Sequence, residues 1–155
     1  MKVALDTNIL AYAEGVNGTE KRDAALSVLQ RLPELSVVVP VQALGELFNV
    51  LVLKAKRSRD AARTSILAWR DAYAVGETSA AVMIDAVDLA HDHEMRIWDA
   101  VMLSVAATSE CRLLLSEDLQ DGFTWRGVTV ANPFGAARHT LLVSLLAEPT
   151  PEGDD

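Results

Sequence analysis

Four short runs of aliphatic and β-branched residues are separated by long stretches of helical periodicity, and this alternation limits what the chain can become. The runs are KVAL (2–5), LSVVVP (35–40), RLLLS (112–116) and VTVA (128–131). Each is too short for a helix and is bounded by turn-forming or polar residues, as a buried strand would be. The stretches between them read as helices over 8–14, 20–32, 41–57, 59–73, 79–95 and 99–111, and 136–147 reads as a terminal helix. Strands alternating with helices predict an α/β fold, three layers deep, with a central and mainly parallel sheet. At 155 residues the chain suits one domain with a sizeable core.

The helical segments carry their own signals. Gly15 and Gly18 break the first helix, Thr19 is positioned to cap the second, and Pro33 lies just past its end. Ala25, Leu26, Leu29 and Leu32 share one face, as do Ala62, Ile66, Trp69 and Tyr73. In 79–95, Met83, Val87 and Ala90 are expected inward and Asp85, Asp88 and Asp92 outward. The ending EPTPEGDD is acidic and Pro-containing, and is expected to be disordered.

Against this apolar framework, four carboxylates stand at special positions. In ALDTNIL, Asp6 interrupts apolar character just past the first strand, with Thr7 and Asn8 beside it. A helix N-cap explains one such residue, but three capping candidates in a row exceed what one helix needs. Glu46 forms a thin polar stripe with Gln42 and Asn49 on an otherwise apolar helix. That stripe either faces water or places a carboxylate among Leu, Phe and Val, where the charge needs a partner. Asp99 directly precedes an apolar helix, where it can cap and still offer an oxygen to a cation. Asp118 follows the third apolar run in LLLSEDLQDG, with Ser116, Glu117 and Asp121 nearby; a solvated loop is the alternative. In a parallel sheet the working site lies beyond the carboxyl ends of the strands, which places Asp6 and Asp118 on one rim.

Clustered carboxylates repel one another unless a cation joins them. An oxygen-only donor set selects a hard ion, Mg²⁺ or Mn²⁺, over zinc. His91 and His93 are two apart on a helix and face different ways, so a His site is disfavoured. The sequence has no phosphate-cradling Gly loop and no G-x-S-x-G. The formal charge of −8 argues against non-specific polyanion binding, except where acids that hold metal inflate the count. One basic cluster, Lys54, Lys56, Arg57, Arg59 and Arg63, is the candidate for a nucleic-acid backbone; a solubilising helix end is the alternative. Cys111 is the single cysteine, which fits a reduced, cytoplasmic setting. The start MKVALD does not read as a secretory signal, and no apolar run approaches the ~20 residues that span a bilayer, so no membrane association is expected.

The ordered set LDTNIL, LGELFNVL, IWDAVMLSVA and LLLSEDLQDG…GVTVANPF resembles the PIN domain, and most of all the VapC toxins of type II toxin–antitoxin pairs. The resemblance covers about residues 2–134, leaving 135–155 as a C-terminal extension outside the pattern. It implies a Mg²⁺- or Mn²⁺-dependent endoribonuclease with an acidic quartet of Asp6, Glu46, Asp99 and Asp118. Asn8, with Thr7, Ser116 and Asp121, would support that quartet. It also implies an RNA substrate, a homodimer and a cognate antitoxin, for which the hairpin of helices 41–57 and 59–73, with Phe48, Trp69 and Tyr73, is the candidate contact. Two rival readings remain: a module that acts mainly by binding a DNA-binding antitoxin, and a phosphatase with Asp6 as nucleophile. The second is weakened by Asn8 at the position where that chemistry wants another acid.

Overall fold

A computed structural model describes residues 1–147. The expectation of a disordered acidic tail falls on 148–155, outside the described residues. The sheet is built from β1 (Lys2–Leu5), β2 (Val37–Pro40), β3 (Ala74–Gly76), β4 (Cys111–Leu115), β5 (Thr124–Trp125) and β6 (Val128–Ala131). Their spatial order is β3-β2-β1-β4-β6-β5, parallel throughout except for the β5–β6 pair. From β1 the chain adds β2 and β3 on one side, then returns to lay β4 and β6 on the other. The sheet therefore reverses direction between β1 and β4, and a crevice opens beyond the carboxyl ends of these two strands.

Seven helices connect and cover the sheet: α1 (Thr7–Ala13), α2 (Thr19–Arg31), α3 (Val41–Leu53), α4 (Arg59–Ala72), α5 (Ala80–His93), α6 (Ile97–Thr108) and α7 (Thr140–Ala147). Every residue of β2 and β6 is buried, as are Val3, Ala4 and Leu5 of β1. A strand buried on both faces must be covered by helices on both, and this confirms the expected three-layer α/β/α arrangement. Helix α6 is the most deeply enclosed, with Ala100 through Ala106 all buried. Gly76 allows its approach: a Cβ at this position would lie 2.6 Å from Val105 Cγ1. Among the described residues, no helix is long and apolar enough to cross a membrane.

Several boundaries differ from the sequence expectation, each for a local reason. Helix α3 stops at Leu53 rather than 57, because Lys56 takes a left-handed φ of 56° and the Arg57 amide donates back to Leu51. Helix α6 spans 97–108 rather than 99–111, so Asp99 lies in its first turn and Arg96 is the N-cap. Thr19 is the first residue of α2, not its cap; that position belongs to Gly18 at φ 98°. The second strand begins at Val37, after a 3₁₀ turn over Glu34–Ser36. The terminal helix begins at Thr140 rather than 136. On α5 the buried face is Val82, Ala86 and Leu89, and Val87 is exposed. Strands β3 and β5 were not expected, because three and two residues are too few to show a period.

Candidate metal centre

The crevice between β1 and β4 collects the four carboxylates from four separate places in the chain. Asp6 is the N-cap of α1 and is only 6% exposed. Its Oδ1 accepts from the Thr7 amide at 2.8 Å, and its Oδ2 accepts from Ser116 Oγ at 2.6 Å. Ser116 sits just past β4, fully buried, and its Oγ in turn accepts from the amides of Asp118 and Leu119, each at 3.2 Å. This one hydroxyl therefore ties the end of β1 to the loop that carries Asp118.

With Asp6 as the cap, the other two polar residues of DTN are free for different work. Thr7 donates its hydroxyl to Glu46 on α3. Asn8 donates its amide to Asp118 Oδ2 at 3.1 Å, and its Oδ1 accepts from the Glu117 amide at 3.4 Å. Glu46, in the polar stripe of α3, thus turns toward α1, and Gln42 reinforces it by donating to Glu46 at 3.2 Å, while Asn49 of the same stripe is exposed. Asp99 comes from the first turn of α6, where the helix dipole favours its charge.

The acids are near enough to act on one another's charge. Burial pushes the Asp6 carboxyl up from 3.8 to about 6; the Ser116 and Thr7 hydrogen bonds oppose this, while the nearby charges of Asp99 and Glu46 add to it. Asp99 is also raised, first by burial and then by Glu46 and Asp118, against the pull of Arg96. Among the described residues, buried Asp6 is hydrogen-bonded only to neutral donors. A carboxylate in that state is relieved either by taking a proton or by a cation.

The donor set fits a hard divalent ion, since the acids offer oxygen alone. Among the described residues, no three His, Cys, Asp or Glu side chains converge closely enough to hold an ion by themselves. Mg²⁺ keeps several of its waters and needs only one or two carboxylates, so a looser arrangement suffices. Asp118 borders two cavities. One, of about 540 Å³, runs between α1 and α3 past Glu46; the other, of about 650 Å³, is lined by Arg96, Asp99 and Gln120.

Not every expected residue joins this centre. Asp121 is occupied elsewhere, accepting from the Asn132 amide at 2.9 Å and so fastening the loop after β6. The basic cluster is dispersed. Arg57 is locked on Glu14, to the carboxylate at 2.8 Å and to the backbone oxygen at 2.6 Å. Arg59 and Arg63 line a different groove between α3 and α4. Lys56 is exposed on the turn between those helices. Lys54 alone borders the cavity that contains Glu46 and Asp118. Phe48 lines the α3–α4 groove, whereas Trp69 and Tyr73 face α2 in a separate recess, where Trp69 donates to Glu14 at 2.8 Å. Arg96 was missed by sequence reading; its signal was a cation three residues before Asp99, one helical turn away.

Comparison with known proteins places this geometry. Among curated protein sequences, none is significantly similar. Among solved structures, the fold is similar to VapC20 of Mycobacterium tuberculosis, described as a sarcin–ricin loop cleaving toxin, at 19% identity and a TM-score of 0.64; the match covers 76% of this chain and 90% of that one. A toxin–antitoxin complex from Klebsiella pneumoniae matches at 18% identity and a TM-score of 0.65, over 86% and 98% of the two chains. VapBC-1 from nontypeable Haemophilus influenzae matches at 17% identity and a TM-score of 0.57, over 76% and 87%. The model of the PIN domain family matches residues 3–121, which hold β1, the reversal crevice and all four acids, and the chain therefore belongs to the PIN domain family.

Proposed function

We propose that this protein is a Mg²⁺- or Mn²⁺-dependent endoribonuclease acting as the toxin of a toxin–antitoxin pair. The observation that carries the reading is buried Asp6, hydrogen-bonded among the described residues only to neutral donors, with Glu46 and Asp99 near enough to raise its pKa and Asp118 near enough to raise that of Asp99. One or two of the four would hold the ion directly, and the others would act on it through its waters. A divalent ion, when bound, supplies Lewis acidity for attack of water on a phosphodiester.

The rest of the chemistry belongs to the chain. Ser116 and the Thr7 amide fix the plane of the Asp6 carboxylate, Thr7 holds Glu46, and Asn8 holds Asp118. Such outer partners orient ligands and keep them ready. Arg96, close enough to lower the Asp99 pKa, offers positive charge to a phosphate at the same crevice.

Incubation of the purified protein with a structured RNA and Mg²⁺ or Mn²⁺ tests the reading, beside Asp6→Asn and Asp99→Asn. Cleavage should require the ion and should fall by roughly 10²–10⁴ in each variant, both of which stay folded. Equal cleavage by all three proteins would remove the quartet assignment.

A specific observation also supports the partner. The groove between α3 and α4, about 680 Å³, is lined by Val41, Leu44, Phe48, Ile66 and Leu67. An apolar helix-lined groove suits an amphipathic segment of a second protein, here the cognate antitoxin. We also assign the protein to the cytoplasm and to a homodimer, which size-exclusion chromatography with light scattering would test.

A further inference from the structure

The trough between α1 and α3 is lined by residues well beyond the acids. Glu46 and Asp118 lie at one end of its lining, and Asn49 and Lys54 continue along α3. At 1.5 Å of rise per residue, Lys54 stands ~12 Å beyond Glu46 along the helix. Its volume of about 540 Å³ falls within the roughly 300–1,000 Å³ range of small-ligand pockets. Ala11 and Val50 give the trough an apolar wall, while exposed Asn49 supplies an amide with both donors and an acceptor.

Of the basic cluster, Lys54 is the residue that borders this cavity. Arg57 is bound by Glu14 and Ser65, and Arg59 packs over the Phe48 ring at 5.9 Å. Among the described residues Lys54 enters no ion pair, although it shares its cavity with two of the acids. A cation left unneutralised at a fixed distance from the acids is suited to an anion that reaches both. A polynucleotide does so when one phosphate lies at the acids and another lies further along the strand.

We propose that this trough seats a nucleotide flanking the cut phosphodiester, with Lys54 holding a neighbouring phosphate and Asn49 reading the edge of an unpaired base. The inference rests on the ribonuclease reading and deepens it: the substrate is single-stranded at the site, and one of its bases is chosen by α3. An unstacked base exposes the edge that a side-chain amide can read, which a duplex would hide.

The test uses the full chain and a random-sequence single-stranded oligoribonucleotide. Binding is measured over a salt series in the Asp99→Asn background, and cut sites are sequenced in the active background. Lys54→Ala should flatten the slope of log affinity against log salt by about 0.7, the increment for one single-strand phosphate contact, and Lys54→Arg should restore it. Asn49→Ala should change the base preference at one position beside the cut, with the melting temperature unchanged. If the parent protein cuts RNA while both variants keep its slope and its preference, the trough assignment is overturned and the ribonuclease stands. If the parent protein neither binds nor cuts RNA, both are overturned.

Discussion

Helix α3 borders two grooves of similar size and opposite character. Toward α1 it presents Gln42, Glu46 and Asn49, and toward α4 it presents Val41, Leu44 and Phe48. The first groove contains carboxylates that repel one another and invite a cation or a proton. The second is mainly apolar surface, whose burial is favourable in proportion to area, edged by Arg59, Asp60 and Arg63. Thirteen residues thus carry two recognition chemistries that do not compete, because an α-helix separates its faces by sequence spacing alone. Under the proposed function, catalysis and partner binding should therefore be separable by mutation.

The largest effect expected is on the polar side. Asp99→Asn should lower RNA cleavage by roughly 10²–10⁴ while a co-purifying antitoxin stays bound, as read by gel assay and pull-down. If the variant loses both, the two grooves are not independent.

Next comes a pH effect on stability that only the acid groove can produce. Asp6 has a folded pKa of about 6 against 3.8 in the unfolded chain, so the folded protein holds this proton more tightly. The associated stability is full below pH 3.8 and is lost as pH rises through about 6. Asn at this position never ionises. In EDTA, the stability of Asp6→Asn relative to the parent should therefore improve by about 3 kcal/mol between pH 3.5 and pH 8, measured by denaturant unfolding. Mg²⁺ should narrow that gap at pH 8, by stabilising the parent and not the variant. A gap that is constant with pH would mean that folding leaves the Asp6 pKa where the unfolded chain has it.

On the apolar side, Phe48→Ala should weaken binding of a partner segment by about 2 kcal/mol, as an aromatic anchor does, with RNA cleavage by the free protein retained. Titration calorimetry with the partner peptide checks it. The smallest effect lies outside both grooves: Trp69→Phe removes one hydrogen bond to Glu14 and should cost about 1 kcal/mol of stability without touching either function.

The parts legible in the sequence were those that repeat or interrupt a period. The alternation of apolar runs and helical stretches was enough for the parallel sheet, and the rim position of Asp6 and Asp118 followed from it. Glu46 stood out because a lone acid on an apolar helix is hard to place. What stayed hidden depends on pairs far apart in the chain. Nothing local says that Thr7 will donate to Glu46, or that Ser116 will meet Asp6, since these contacts exist only once the sheet has formed. The spread of the basic cluster stayed hidden for the same reason. KAKRSR reads as one patch, yet the left-handed turn at Lys56 ends the helix, and Glu14 captures Arg57 from 43 residues away.

The pairing of β1 with β4 has a consequence for how the protein is made. Asp6 and Ser116 are separated by 110 residues, and so are Asn8 and Asp118. During synthesis the first acid leaves the ribosome long before its partners exist, and the central strand waits for β4 before its second edge is covered. The acid cluster can therefore assemble only when the chain has been made through residue 118. A ribosome that stalls earlier leaves a fragment without the acid cluster, because its two halves lie 110 residues apart.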